Sequence, residues 1–366
     1  MTTRNRKRVE MEDLKIYEIS AEVLNGITKD LNESTYAPIN GTLTLKWSTE
    51  PVFNASASSK SDLREPPEHE ICLHYELVRQ LYRDIEGFCE FYLQEHTSNW
   101  WATFFKDLDD APPLFEFFTV EQCCHNMFVG ALTFVYFHEL GHLLQQHGYI
   151  RQKISGDEQS HIFEHQIAGE AILRGKQSSV SHVTELCADN YATIKCLYEL
   201  MRHFDDNKEE LRVALFMLVC GLSCIFHKLS GEVACAPTEA PIGSHPNPSI
   251  RMELNLPHVY ELMDLVAVPS GHLMSRRDLV HLCSRASDSS SLYQLAKNGL
   301  NKPKNDYQFI RGLLNREGDR NYLKHIIETW DEIEDLLREV TIKGSDFDYL
   351  SFTEEFRKYV NEGVKG

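Results

Sequence analysis

Thr119-Val-Glu-Gln-Cys-Cys-His-Asn-Met-Phe-Val-Gly-Ala-Leu-Thr-Phe-Val-Tyr-Phe-His138-Glu139-Leu140-Gly141-His142 is the stretch from which the rest of the chain can be read. Thr119 followed by Glu121 and Gln122 has the pattern of a helix start, with a capping side chain and acidic character in the first turn. Phe128, Leu132, Val135, Leu140 and Leu143 spread over broad apolar faces, and the helix is expected to stop near Gly148. A helix apolar on most sides belongs in a core.

The polar residues at the end of this helix carry the chemistry. On a helix, His138 and His142 lie four residues apart and face the same way. Two imidazoles on one face can hold a zinc ion, and Glu139 beside them can take a proton from a water bound to it. The pattern points to hydrolysis of peptide bonds. In a chain with 17 His, a plainer reading is two partly buried histidines bonded to their neighbours.

Catalytic zinc needs a third protein ligand and an open fourth position. Glu185, in Thr184-Glu-Leu-Cys-Ala-Asp-Asn-Tyr-Ala192, is the best third ligand. Asp189 shares its helix face and could accept the free ring N–H of a ligand histidine, fixing its tautomer. Ala188 is small enough to let two helices approach closely. Ser244-His245-Pro-Asn-Pro-Ser-Ile-Arg251 follows, and a histidine in a Pro-bounded loop could bond a developing oxyanion. A rival arrangement exists at His161-Ile-Phe-Glu164-His165, an inverted HxxEH pattern in polar surroundings. His165 or His182 could replace Glu185 as third ligand.

Composition narrows the class. Of 366 residues, 42% are hydrophobic and 25% charged, a globular balance. The formal net charge of -18 disfavours nucleic acid and anionic lipid as partners and suits a protein or peptide substrate better. The basic start, MTTRNRKRVE, has no apolar run behind it and reads as a polar tail rather than a secretory signal. The longest apolar run, Val213 to Phe226, is short for a bilayer and is read as a buried helix, so no integral membrane span is expected. Ten Cys without a CxxC pair read as reduced thiols, consistent with a cytoplasmic location.

Along the chain, 1–35 reads as a polar N-terminal segment. Gly41–Trp47 alternates as a strand, Asn54–Ser61 reads as a loop, and Glu70–His74 as a second strand before a helix over Tyr75–Glu95. Residues 111–118 read as a connector and 151–181 as a polar linker or lid. Helices are expected over Thr184–Phe204 and Glu209–His227, then around 249–266, 275–285, 289–297, 306–315 and 319–339. The fold class is mainly α with a small β-sheet, an α+β arrangement in which the active-site helix is flanked by a short edge-strand sheet. Residues 36–252 are expected to form the zincin-like domain. Residues 253–366 are expected to be a helical region, a cap or a surface for a partner protein.

The order HELGH, ELCAD, HPNPSIR resembles the gluzincin peptidases typified by the CAAX-prenyl protease and the HtpX heat-shock protease. Asn54-Ala-Ser-Ala and the strand at Glu70-Ile-Cys-Leu resemble the segments that lie beside the cleft in that group. The resemblance covers about residues 52 to 252. It implies that His138, His142 and Glu185 ligate zinc, Glu139 is the base, His245 stabilises the tetrahedral intermediate, and Arg251 supports the site. It also implies that extended substrate lies against Ile71, Cys72 and Leu73. HELGH is similar as well to the ImmA/IrrE-type regulators and to the Lit-type phage-exclusion peptidase. Two alternatives therefore stand beside a zinc endopeptidase: a metal-containing regulatory or sensor protein with little turnover, or a phage-defence protease aimed at one cytoplasmic protein.

Overall fold

The computed structural model describes residues 11–95, 114–156, 161–163, 172–204, 207–230, 239–266, 274–298, 315–342 and 349–362. Helix α1 (Asp13–Leu31) precedes strands β1 (Thr42–Ser48), β2 (Ala55–Ser59) and β3 (Glu68–His74), which leads into α2 (Tyr75–Glu95). A single turn, α3 (Leu114–Phe117), precedes the HELGH helix α4 (Val120–Leu144). Then come α5 (His147–Ser155), β4 (His161–Phe163), α6 (Gly175–Phe204), α7 (Lys208–Ser230) and α8 (Pro248–Val266). The chain continues as α9 (Arg276–Lys297), α10 (Glu317–Val340) and α11 (Glu354–Glu362). The fold is mainly α with a small mixed sheet, as the sequence pattern indicates.

Helix α4 is the central element. Its start is a capping box: Gln122 N–H donates to Thr119 Oγ1, and Thr119 N–H donates to Gln122 Oε1. From Ala131 to Leu144 every side chain is buried. Helices α6 and α7 pack on it, with α1, α2 and β2 around the remaining sides. Helix α7 is buried from Val213 to Phe226. By length and composition α4 and α7 are both apolar enough to cross a membrane, and 89% of each apolar window is buried inside the protein.

The sheet has the order β1-β3-β2-β4. Strand β3 runs parallel to β1, with Leu45 opposite Ile71, and antiparallel to β2, with Ala57 opposite Ile71. Two expectations change here. Residues 55–59 are a strand, not a loop; Ala and Ser carry little strand preference, but β2 is hydrogen-bonded on both sides. Ile71, Cys72 and Leu73 lie on an inner strand, so both sides of their backbone ladder are taken and no substrate can add to that strand. The sheet edges belong to β1 and β4.

Helix α1 is part of the core. Ile16, Ser20, Leu24 and Thr28, spaced by four, form one buried face. Thr28 shares a 2.7 Å hydrogen bond with Tyr136 of α4. The expected division after residue 252 falls inside α8, whose Met252, Leu256 and Val259 join the main core. The helices expected at 275–285 and 289–297 are one continuous α9. The helix expected at 306–315 lies almost wholly outside the described residues. A second core forms around Ile150, Val183, Leu186 and Ile250, against which α10 lays Tyr322, Ile326, Trp330 and Leu337. The C-terminal helices thus pack directly behind the elements that carry the candidate site.

Candidate metal centre

The site is built where α4 crosses α6. Helix α6 begins at Gly175, well before the expected start, and carries Glu185 and Asp189 on one buried face. The crossing is close because Gly141 has no side chain: a Cβ there would lie 3.2 Å from Ala188 Cα and 3.1 Å from Tyr191 Cδ1. The glycine of HELGH therefore lets the two helices approach this closely.

This approach brings His138, His142 and Glu185 together as a buried group that could hold a metal ion, with donor atoms all within 4.8 Å of one another. His138 Nε2 and His142 Nε2 are 3.0 Å apart, His138 Nε2 is 3.2 Å from Glu185 Oε2, and His142 Nε2 is 3.4 Å from Glu185 Oε1. Zinc bonds of about 2.0–2.1 Å at tetrahedral angles place neighbouring donors about 3.3 Å apart, so the spacing fits such an ion.

The outer nitrogens are held from behind. His138 Nδ1 lies 2.8 Å from Asp189 Oδ1. An ionised carboxylate can only accept, so this contact puts the proton on Nδ1 and leaves the Nε2 lone pair facing the centre. Arg251 clamps the same carboxylate with two hydrogen bonds of 2.8 and 2.6 Å, and its guanidinium lies 4.4 Å over the Phe226 ring. His142 Nδ1 meets His147 Nδ1 at 2.7 Å. Two imidazole nitrogens 3.0 Å apart can share one proton or, with both lone pairs turned inward, hold a metal ion between them.

Electrostatics agree with this arrangement. Burial alone would push the Glu185 carboxyl up, yet His245, His142 and His138 together hold it well below the ordinary carboxylate value. Burial likewise opposes ionisation of Asp189, and Arg251 overcomes it and keeps Asp189 lowered. Burial pulls His142 down to about 4 and His147 well below its usual value, so both imidazoles are neutral near pH 7, the form that ligates metal.

Glu139 sits beside the ligands on α4 and is fully buried. His245 Nε2 lies 3.3 Å from Glu185 Oε2; its side chain, 18% exposed, is the most open of the group and marks the solvent side. Its loop is held by α6: Ser178 and Ser181 donate to the carbonyls of Gly243 and Ser244, while Ser244 Oγ lies 2.8 Å from His245 Nδ1. All the polar residues expected from the sequence thus meet at one place. Ile71, Cys72 and Leu73 lie on the inner strand β3, whose backbone is already paired on both sides.

Of the rival residues, His182 is bonded through Nδ1 to Tyr322 Oη at 2.9 Å and is not one of the three grouped donors. His165 lies outside the described residues, and His161 is placed in β4 by its backbone alone.

Two supporting residues are absent from the sequence reading. His147 and Arg151 sit on α5, just before and at the start of the stretch read as a linker. The chain reverses through Gln146 in the left-handed conformation (φ 54°), and α5 then folds back under the site. Arg151 Nη2 donates to Glu185 Oε1 at 2.8 Å, and its Nε donates to Thr184 Oγ1 at 2.8 Å. The four-residue spacing of His147 and Arg151 was the available signal, because it puts both on one face of a short helix.

No protein-family model, curated protein or solved structure matches the chain.

Proposed function

We propose that the protein is a zinc-dependent peptidase of the gluzincin type, with His138, His142 and Glu185 as metal ligands and Glu139 as general base. The observation that carries the reading is the convergence of three donors at zinc spacing, each backed by a buried partner, with a carboxylate next to them on the same helix. Bound there, zinc would supply a Lewis acid that polarises a peptide carbonyl and acidifies a water. Glu139 takes the proton of the attacking water and returns it to the leaving nitrogen. His245, on the open side, donates to the oxygen that gains charge. Asp189 and Arg251 hold His138 in its metal-binding tautomer.

The substrate in this reading is a protein or peptide that reaches the site past His245. A bound strand would have to use an outer sheet edge, because β3 is paired on both sides. The decisive comparison is wild type against Glu139→Gln, with bound zinc measured by elemental analysis and new N-termini mapped across a proteome. Retained zinc with lost cleavage supports the assignment. Full activity in the variant sinks it.

A second reading has its own support. His138, Glu139, His142 and Glu185 are each 2% exposed or less. Closed sites of this kind are the habit of structural metals. In that case the chain is a metal-holding regulatory protein, and the wild type binds zinc but cleaves nothing.

A further inference from the structure

We propose that Arg151 is a positioning residue that makes Glu185 a one-oxygen ligand, bound through Oε2. The inference rests on the metal-site reading and extends it to a residue outside the HELGH, ELCAD and HPNPSIR segments.

A carboxylate can meet a cation with one oxygen or with both, and the choice decides whether a coordination position stays open. Both oxygens of Glu185 face the histidine pair: Oε2 lies 3.2 Å from His138 Nε2, and Oε1 lies 3.4 Å from His142 Nε2. Left alone, the group could chelate. Arg151, itself only 8% exposed, breaks the symmetry by donating to Oε1 at 2.8 Å. Its own geometry is fixed by the second hydrogen bond, from Nε to Thr184 Oγ1 at 2.8 Å. Thr184 is in turn tied to the α6 backbone through the carbonyls of Val180 and Ser181. The guanidinium therefore cannot swing away without losing a buried partner.

Glu185 Oε2, by contrast, is buried and takes no well-aligned hydrogen bond: its neighbours are His138 Nε2 at 3.2 Å and His245 Nε2 at 3.3 Å, with the Arg251 guanidinium further off at 4.0 Å. Oε1 is taken by a short, charge-assisted hydrogen bond from Arg151, and Oε2, which has none, is the oxygen better placed to meet a metal ion. A charge-assisted hydrogen bond on Oε1 also lowers its basicity, which further favours Oε2 as the metal-binding atom. With one oxygen bound, the protein contributes three donor atoms, and a position remains for solvent or substrate.

The test uses cobalt(II) as a spectroscopic probe in the whole chain, comparing wild type with Arg151→Gln and Arg151→Lys. Four-coordinate cobalt absorbs several-fold more strongly in the visible than five-coordinate cobalt. Freed from Arg151, the carboxylate should bind through both oxygens, so Arg151→Gln should lose at least half of the wild-type band intensity. Competition with a chelator should show zinc affinity about 10- to 100-fold weaker, with Arg151→Lys in between. If Arg151→Gln does not fold, Thr184→Val, which keeps the guanidinium but removes its anchor, should show the same change in smaller degree. Wild-type spectra and affinity in whichever of these variants folds would overturn the role of Arg151. A wild-type chain that takes up neither metal overturns the site itself, and the Arg151 proposal with it.

Discussion

Gly141 and Ala188 meet backbone to backbone where α4 crosses α6, with only 3.2 Å between the place of a Gly141 Cβ and Ala188 Cα. Every donor in the candidate centre depends on that approach, because His138 and His142 come from one helix and Glu185 from the other. Adding a methyl group should force the helices apart. Gly141→Ala is expected to cost about 1–3 kcal/mol, the usual penalty for overpacking, and to weaken metal binding. Thermal unfolding and zinc titration check both. Unchanged values would show that the crossing has slack.

Asp189 has two duties, as acceptor for His138 Nδ1 and as counter-charge to the buried Arg251. Asp189→Asn should therefore do more harm than its size suggests. Leaving a buried guanidinium without its carboxylate costs about 3–5 kcal/mol. Loss of the second partner of a metal-binding histidine typically lowers affinity by about 10- to 100-fold. Removing Arg251 as well should recover part of the stability but none of the affinity. A variant as stable and as tightly metal-binding as wild type would contradict this division of roles.

Metal should stabilise the fold by mass action, since the donors come together only in the folded chain. At free zinc about 100-fold above the dissociation constant, stability should rise by about 2.7 kcal/mol. His142→Ala should abolish the increment while leaving the metal-free protein folded. The measurement is the unfolding midpoint with zinc and with chelator. Equal midpoints for the wild type under the two conditions would count against a centre at this place.

Acid should destabilise the protein through three buried histidines outside the donor group. Burial holds His69 at about 4, His182 at about 3 and His227 at about 4, against an ordinary value of 6.5. Below about pH 6.5 the unfolded chain takes up protons at these positions that the folded chain refuses. Their contribution to stability is therefore complete above that pH and is lost as pH falls towards 4. Each group contributes about 1.4 kcal/mol per pH unit inside the window. Denaturant midpoints at about pH 7 and about pH 5 test this linkage, and His69→Gln should flatten the dependence. A midpoint that rises on acidification would contradict it.

Much of this architecture is written in short-range pattern. Thr119 and Gln122 announce the start of α4, and both halves of the capping box are present. The bounds of α2 were readable from apolar spacing, as was most of α9 and α10. Four-residue spacing put His138 with His142 and Glu185 with Asp189, because a helix imposes that neighbourhood on any sequence. What the linear pattern lacked were partners far away in the chain. Residues 55–59 alternate only Ala with Ser, too small to mark a strand by themselves, and become one because β3 and β4 supply the hydrogen bonds. Ile71 to Leu73 have the composition of a strand, but nothing local says whether such a strand is an edge. Arg151 looks like a linker residue, and His147 like the tail of the HELGH helix, until the left-handed turn at Gln146 folds α5 beneath the donors. Local propensity is a property of a few consecutive residues, and it named the helices and the faces that hold the chemistry. Which strand is enclosed, and which cation reaches Glu185, are settled by contacts between distant segments, and those exist only once the chain has packed.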